Sequence, residues 1–91
     1  MPRTEKFDEL ARILEGLRRL PELNEMKPGV FYVKRRAFLH FHESATARHA
    51  DVRNGTDWGE PIELPLGRVS TTASTKFLRE VRTRLDATIN A

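Results

Sequence analysis

The chain has 91 residues, 38% hydrophobic and 32% charged, a balance that suits a folded, water-facing domain and leaves no room for two independent cores. Cysteine is absent, which removes disulfides and thiolate metal ligands. A total of 16 Lys and Arg against 13 Asp and Glu leaves a net charge of +3, an excess too small to single out a nucleic-acid partner by itself.

No apolar run is long enough to read as a membrane span. The opening Met1-Pro2-Arg3-Thr4-Glu5-Lys6 lacks the apolar stretch of a secretory signal. The expectation is a cytoplasmic protein forming a single domain over residues 1–91.

The first predicted element is an amphipathic helix from about Thr4 to Leu20. Phe7, Leu10, Leu14 and Leu17 recur at three- and four-residue spacing, with Ala11, Ile13 and Leu20 beside them. Thr4 is the expected N-cap. Glu5, Asp8 and Glu9 suit the positive end of the helix dipole, and Arg18 and Arg19 the negative end. Pro21 ends the helix. Gly16 inside it costs about 1 kcal/mol against alanine, which points to a close contact on that face.

Residues 21–29 read as a connector, closed by the turn signal Lys27-Pro28-Gly29. Val30–Val33 and Ala37–His42 read as strands separated by the basic turn Lys34-Arg35-Arg36. Glu43–Thr46 is the next turn and Ala47–Arg53 the next strand, ended by Asn54-Gly55. Ile62–Leu64 is a short extended piece, and Arg68–Ser70 a candidate edge strand. From Thr72 or Ser74 the period becomes helical again. Leu78, Val81, Leu85 and Ile89 share a face with Phe77 beside them, and Lys76, Arg79 and Arg82 lie opposite. Glu80 and Arg84 have the spacing of a helix-surface ion pair. The predicted fold is α+β, a two-layer sandwich of N-terminal helix, antiparallel sheet of three to four strands and C-terminal helix.

All three histidines fall within residues 38–49. Alternation along a strand puts Phe38, His40 and His42 on one face and Leu39 and Phe41 on the other. With a turn at Glu43–Thr46, His42 pairs with Ala47 and His40 stands opposite His49, so three imidazoles form a triangle. A slip of one residue would remove His49 from that face. Three histidines on a sheet are a familiar first set of ligands for zinc or another divalent metal, with a position left for water that the metal acidifies for hydrolysis. Asp51 and Glu43 are candidates for a fourth ligand or a general base. Two other readings stay open: an ordinary hydrogen-bonded polar face, and an anion- or ligand-binding surface.

Ser44, Ser70 and Ser74 have no nucleophile-elbow context, and no phosphate-binding glycine loop or dinucleotide fingerprint occurs. Lys34, Arg35 and Arg36, with Arg79 and Arg82 of the last helix, are the candidate nucleic-acid contacts. Phe31, Tyr32 and Phe38 lie near the first three, but so small a domain needs these aromatics for its core. An exposed strand edge or leftover apolar helix face is the candidate surface for homo-oligomers.

The stretch His40-Phe41-His42-Glu43-Ser44-Ala45-Thr46-Ala47-Arg48-His49 resembles the His-x-His…His stretch of the uncharacterised luciferase-like domain family. Asp57-Trp58-Gly59-Glu60-Pro61 is similar to the Gly-Trp-Gly-Glu-like segment that follows it there. The resemblance covers roughly residues 30–90. The chain departs from the pattern at Glu43-Ser44-Ala45, where a Pro-Asp-Gly type of turn is usual, at Asp57, and at Ile62, where the family often has histidine. The resemblance implies an α+β fold and draws Trp58 into a ligand site with His40, His42 and His49. It implies no light emission and supplies no mechanism.

Overall fold

Two helices cover one face of a six-stranded antiparallel sheet in the computed structural model, which describes residues 8–91. The elements are α1 (Ala11–Arg18), β1 (Leu23–Lys27), β2 (Val30–Val33), β3 (Arg36–Glu43), β4 (Arg48–Asn54), β5 (Asp57–Trp58), β6 (Ile62–Leu64) and α2 (Thr71–Ile89). The expected contributions of Thr4, Glu5 and Phe7 to the first helix lie outside the described residues. The expected α+β architecture of N-terminal helix, antiparallel sheet and C-terminal helix is the one observed.

Strands run in the order β1-β2-β3-β4-β5, and β6 also pairs with β4. Strand β4 therefore has three partners, β3 on one side and β5 and β6 on the other. Its outer edge is shared by β5, through Arg53 opposite Trp58, and by β6, through His49 opposite Glu63 and Ala50 opposite Ile62. Between them Gly59 N–H donates to the Val52 carbonyl at 2.8 Å, so the break between β5 and β6 still holds to β4.

The sheet has more strands than the three to four expected. Strand β1 lies inside the predicted connector. Its sequence, Leu23-Asn24-Glu25-Met26-Lys27, has no β-branched or aromatic residue, and only Leu23 is buried. Pairing with β2 across the two-residue loop Pro28-Gly29 makes it a strand. Gly29 takes φ 78°, which fits proline followed by glycine in a type II turn. Conversely, Arg68–Ser70 forms no strand. Val69 is buried there and donates its N–H to the Glu9 carbonyl at 3.1 Å.

The core joins Leu10, Ile13, Leu14 and Leu17 of the first helical segment to Phe31, Phe38, Leu39, Val52, Phe77, Val81 and Leu85, among others. Gly16 meets α2 closely: a Cβ there would sit 2.5 Å from Leu78 Cδ1. The close contact expected at this glycine is present. Helix α2 starts at Ser70, whose Oγ accepts from the Ala73 N–H at 3.1 Å.

Phe38 departs from strict alternation. Both Phe38 and Leu39 are fully buried. The pairing of β2 with β3 jumps from Phe31–Leu39 to Tyr32–Ala37, leaving Phe38 as the extra residue of a bulge. A bulge lets two consecutive side chains turn inward, so Phe38 belongs to the core and not to the histidine face.

Two arginines are buried on the helix side. Arg48 is only 2% exposed. It donates from Nε to Glu43 at 2.9 Å and from one terminal nitrogen to the carbonyls of Pro65 and Gly67 at 2.8 and 3.0 Å, while the other terminal nitrogen binds Glu9. Arg84 donates to Glu80 at 2.9 Å, the expected helix pair, and also to the carbonyls of Val52 at 3.2 Å and Glu60 at 2.9 Å. The carbonyls of Pro65, Gly67 and Glu60 lie outside the strands and helices, and these guanidiniums give them partners.

Candidate metal and ligand site on the open sheet face

With both helices on one side, the other face of the sheet is open, and its centre is polar. Strands β3 and β4 pair Leu39 with Val52, His40 with Asp51, Phe41 with Ala50, His42 with His49 and Glu43 with Arg48. His49 thus stands opposite His42, where the sequence reading placed it opposite His40. The loop has the expected four residues but begins one residue later, at Ser44–Ala47. Ser44 accounts for this. Its N–H donates to the Ala47 carbonyl at 2.8 Å, and its Oγ accepts from the N–H groups of Thr46 and Ala47 at 3.3 and 3.2 Å. The shift changes each pairing by two residues. An even shift keeps the side chains on their faces, so the three imidazoles still share the open face.

The shift also places Asp51 directly across from His40. His42 Nε2 lies 2.9 Å from Asp51 Oδ2, and His49 Nε2 lies 3.6 Å from Oδ1. The rings of His40 and His42 meet edge to face at 4.6 Å between centroids, and those of His42 and His49 stack at 4.9 Å. His40, His42 and Asp51 each offer a donor atom within 4.8 Å of the others. Ligands about 2.0–2.1 Å from a tetrahedral zinc lie roughly 3.3 Å apart, so the three donors would draw together by up to roughly 1.5 Å to share one ion.

His40 is partly buried. Burial lowers its pKa, the neighbouring His42 and His49 add to the lowering, and Asp51 opposes it. A neutral imidazole is the form that ligates metal. Trp58 forms one wall, its ring edge-on to His40 at 5.1 Å. Arg53 lies over that ring, with Cζ 4.5 Å from the centroid. Arg53 is held in turn by the Ala37 carbonyl at 2.5 Å and the Thr56 carbonyl at 3.2 Å.

The other expected site residues separate. Glu43 is withdrawn from the histidine face, because its carboxylate pairs with the buried Arg48 on the helix side. Lys34, Arg35 and Arg36 are exposed at the β2–β3 turn. Arg82 is engaged by Asp86 at 2.5 Å and Glu22 at 3.2 Å, and Arg79 lines a shallow groove between α2 and β6. The basic residues of the turn and of α2 do not make one patch. Arg53 and Glu63 were not singled out in the sequence. Glu63 reaches the open face opposite His49 through β6 pairing, and Arg53 by alternation with His49 and Asp51, which was the available signal.

No family model, curated protein or solved structure matches the chain. The resemblance to the luciferase-like domain family rests on the quoted residues alone. Among the described residues no helix is long and apolar enough to cross a membrane.

Proposed function

We propose that this is a ligand-binding domain whose open sheet face takes a divalent transition-metal ion through His40, His42 and Asp51, with Trp58 as the adjoining wall. The observation that carries this is the convergence of two imidazoles and one carboxylate within 4.8 Å. Two histidines and a carboxylate are the donor set of hydrolytic zinc sites and of non-haem iron sites. Three protein ligands leave at least one coordination position open. A bound ion would acidify water there or hold an anionic ligand, which is how a hydrolytic reaction would arise on this face. His49, stacked on His42, supports the ring that binds and stands in reserve as a fourth donor.

The test is a melting curve of chelator-treated protein with zinc, nickel, cobalt or manganese. Metal at a hundredfold excess over Kd adds about 2.7 kcal/mol, a rise of roughly 10–20 °C for a domain of this size. His40→Ala removes the rise. If none of the four ions moves the transition, the proposal fails.

A further inference from the structure

A second site lies at the β2–β3 turn end of the sheet and meets the histidine face only through Arg53 and Trp58. Lys34, Arg35 and Arg36 of the β2–β3 turn and Arg53 of β4 border one cleft of about 650 Å³, whose apolar side is formed by Val33 and Ile89. This size falls in the range of small-molecule pockets. None of the side chains that line it is a carboxylate. Among the described residues Lys34, Arg35 and Arg36 form no ion pair, although Arg18, Arg48, Arg82 and Arg84 all do. The C-terminal end of α2 also opens here, with about half a negative charge from its dipole and the main-chain carboxylate of Ala91 on the cleft lining, together less than the four cations. Lys34 adds a separate observation. Its φ is 57°, a left-handed conformation that glycine or asparagine adopts at less cost. A position that favours glycine carries a cation, in a turn where three follow one another.

We propose that this cleft binds a small phosphate-bearing ligand of nucleoside-diphosphate size, with Lys34, Arg35 and Arg36 on the phosphates and Val33 and Ile89 against its apolar part. Guanidinium forks bind phosphate oxygens in pairs, and the turn offers two of them side by side. Arg53 links ligand binding to an optical signal, because the same guanidinium lies over Trp58, the only tryptophan. A long nucleic acid is the less favoured occupant. Its backbone needs a continuous basic track, whereas the cations converge on one cleft and Arg82 on α2 is already paired.

The test is calorimetric and fluorescence titration of the full chain with pyrophosphate and with ADP, at low ionic strength because exposed cations are screened by salt. EDTA is present throughout, so metal on the histidine face cannot contribute. The expected result is binding that changes Trp58 emission and weakens as salt is added. The double variant Arg35→Gln/Arg36→Gln, whose melting temperature should match the wild type, weakens it about tenfold or more. His40→Ala/His42→Ala leaves it unchanged. Absence of binding by both probes, or equal binding by the arginine double variant, overturns the proposal. A single-stranded oligonucleotide that binds more tightly than ADP, and loses affinity in Arg79→Gln, would overturn it in favour of a nucleic-acid surface.

Discussion

The Asp51 carboxylate lies diagonally across β3 and β4 from His42, with Oδ2 2.9 Å from Nε2, and touches the His49 imidazole at 3.6 Å with its other oxygen. One carboxylate thus gathers the ring nitrogens of two histidines while it stands opposite the third. Asp51→Asn keeps the shape and removes the charge. Changing a residue behind a metal ligand already lowers affinity about 10–100-fold, so loss of a direct carboxylate ligand should cost at least as much. The measurement is the metal concentration that gives half the melting-temperature rise. His49→Ala should retain most of the rise, because His49 is outside the close trio. If His49→Ala instead behaves like His40→Ala, the ligands are three histidines and Asp51 only orients them.

This distinction was beyond the sequence. Alternation along Phe41-His42 and His49-Ala50 was enough to put the imidazoles on one face, and that survives any even shift of register. Which residues face each other depends on Ser44, whose hydroxyl can close the loop one residue later than a count of turn residues suggests. Strict alternation put Phe38 on the histidine face, because a bulge leaves no mark in a run of apolar residues. Helix α2 was legible, since Phe77, Val81 and Leu85 repeat at helical spacing and are all buried. Strand β1 was not, because its polar residues become extended only through hydrogen bonds to β2. The arginines were least legible of all. Alternation with Ala50 and Val52 turns Arg48 inward, but the partners that keep it there, Glu9, Pro65 and Gly67, are distant in the chain.

Arg48 should be the most sensitive polar position in the fold. Arg48→Met fills similar space but leaves Glu9 and Glu43 without their cation and the Pro65 and Gly67 carbonyls without a donor. The two carboxylates are partly solvated, with side-chain exposures of 34% and 27%, which limits the penalty. A loss of roughly 2–4 kcal/mol is expected in urea unfolding. Arg48→Lys should recover only part of it, because one ammonium cannot span four acceptors on different segments. A loss below about 0.5 kcal/mol for Arg48→Met would mean these contacts contribute little.

Gly59 and Gly16 should answer alanine differently, though each is in close contact. A Cβ on Gly59 would lie 2.6 Å from a terminal nitrogen of Arg84 and 3.0 Å from the Val52 carbonyl oxygen. Arg84 is buried and bonded to two carbonyls, so it cannot yield without breaking them. Gly59→Ala should lose about 1–3 kcal/mol. At Gly16 the obstacle is the end of the Leu78 side chain, which is only partly buried and can turn aside. The helix gains about 1 kcal/mol from alanine, so Gly16→Ala should be close to neutral. Chemical denaturation of the two variants checks this, and equal losses would show that Leu78 is as fixed as Arg84.

Acid should weaken the fold through carboxylates paired with arginine. Hydrogen bonds from Arg18 hold the Glu25 carboxyl below its ordinary value, and hydrogen bonds from Arg82 do the same for Glu22 and Asp86. A carboxyl whose folded value is depressed stabilises the fold above its unfolded value, near about 4.3 for glutamate. That contribution is lost as pH falls through the unfolded and then the folded value, because the unfolded chain binds the proton first. The melting temperature should therefore fall from about pH 4.5 downward. Glu25→Gln removes one of these groups and should flatten the acid limb. At neutral pH it should cost no more than about 1 kcal/mol, since Arg18 is half exposed. The Arg18–Glu25 pair also bridges α1 to β1, where Glu25 accepts from the Gly29 N–H at 3.0 Å. A neutral-pH loss well above that figure would assign the glutamate to shaping the β1–β2 turn, with its charge secondary. An acid limb as steep as the wild type would show that Glu22 and Asp86, both on Arg82, carry the pH dependence.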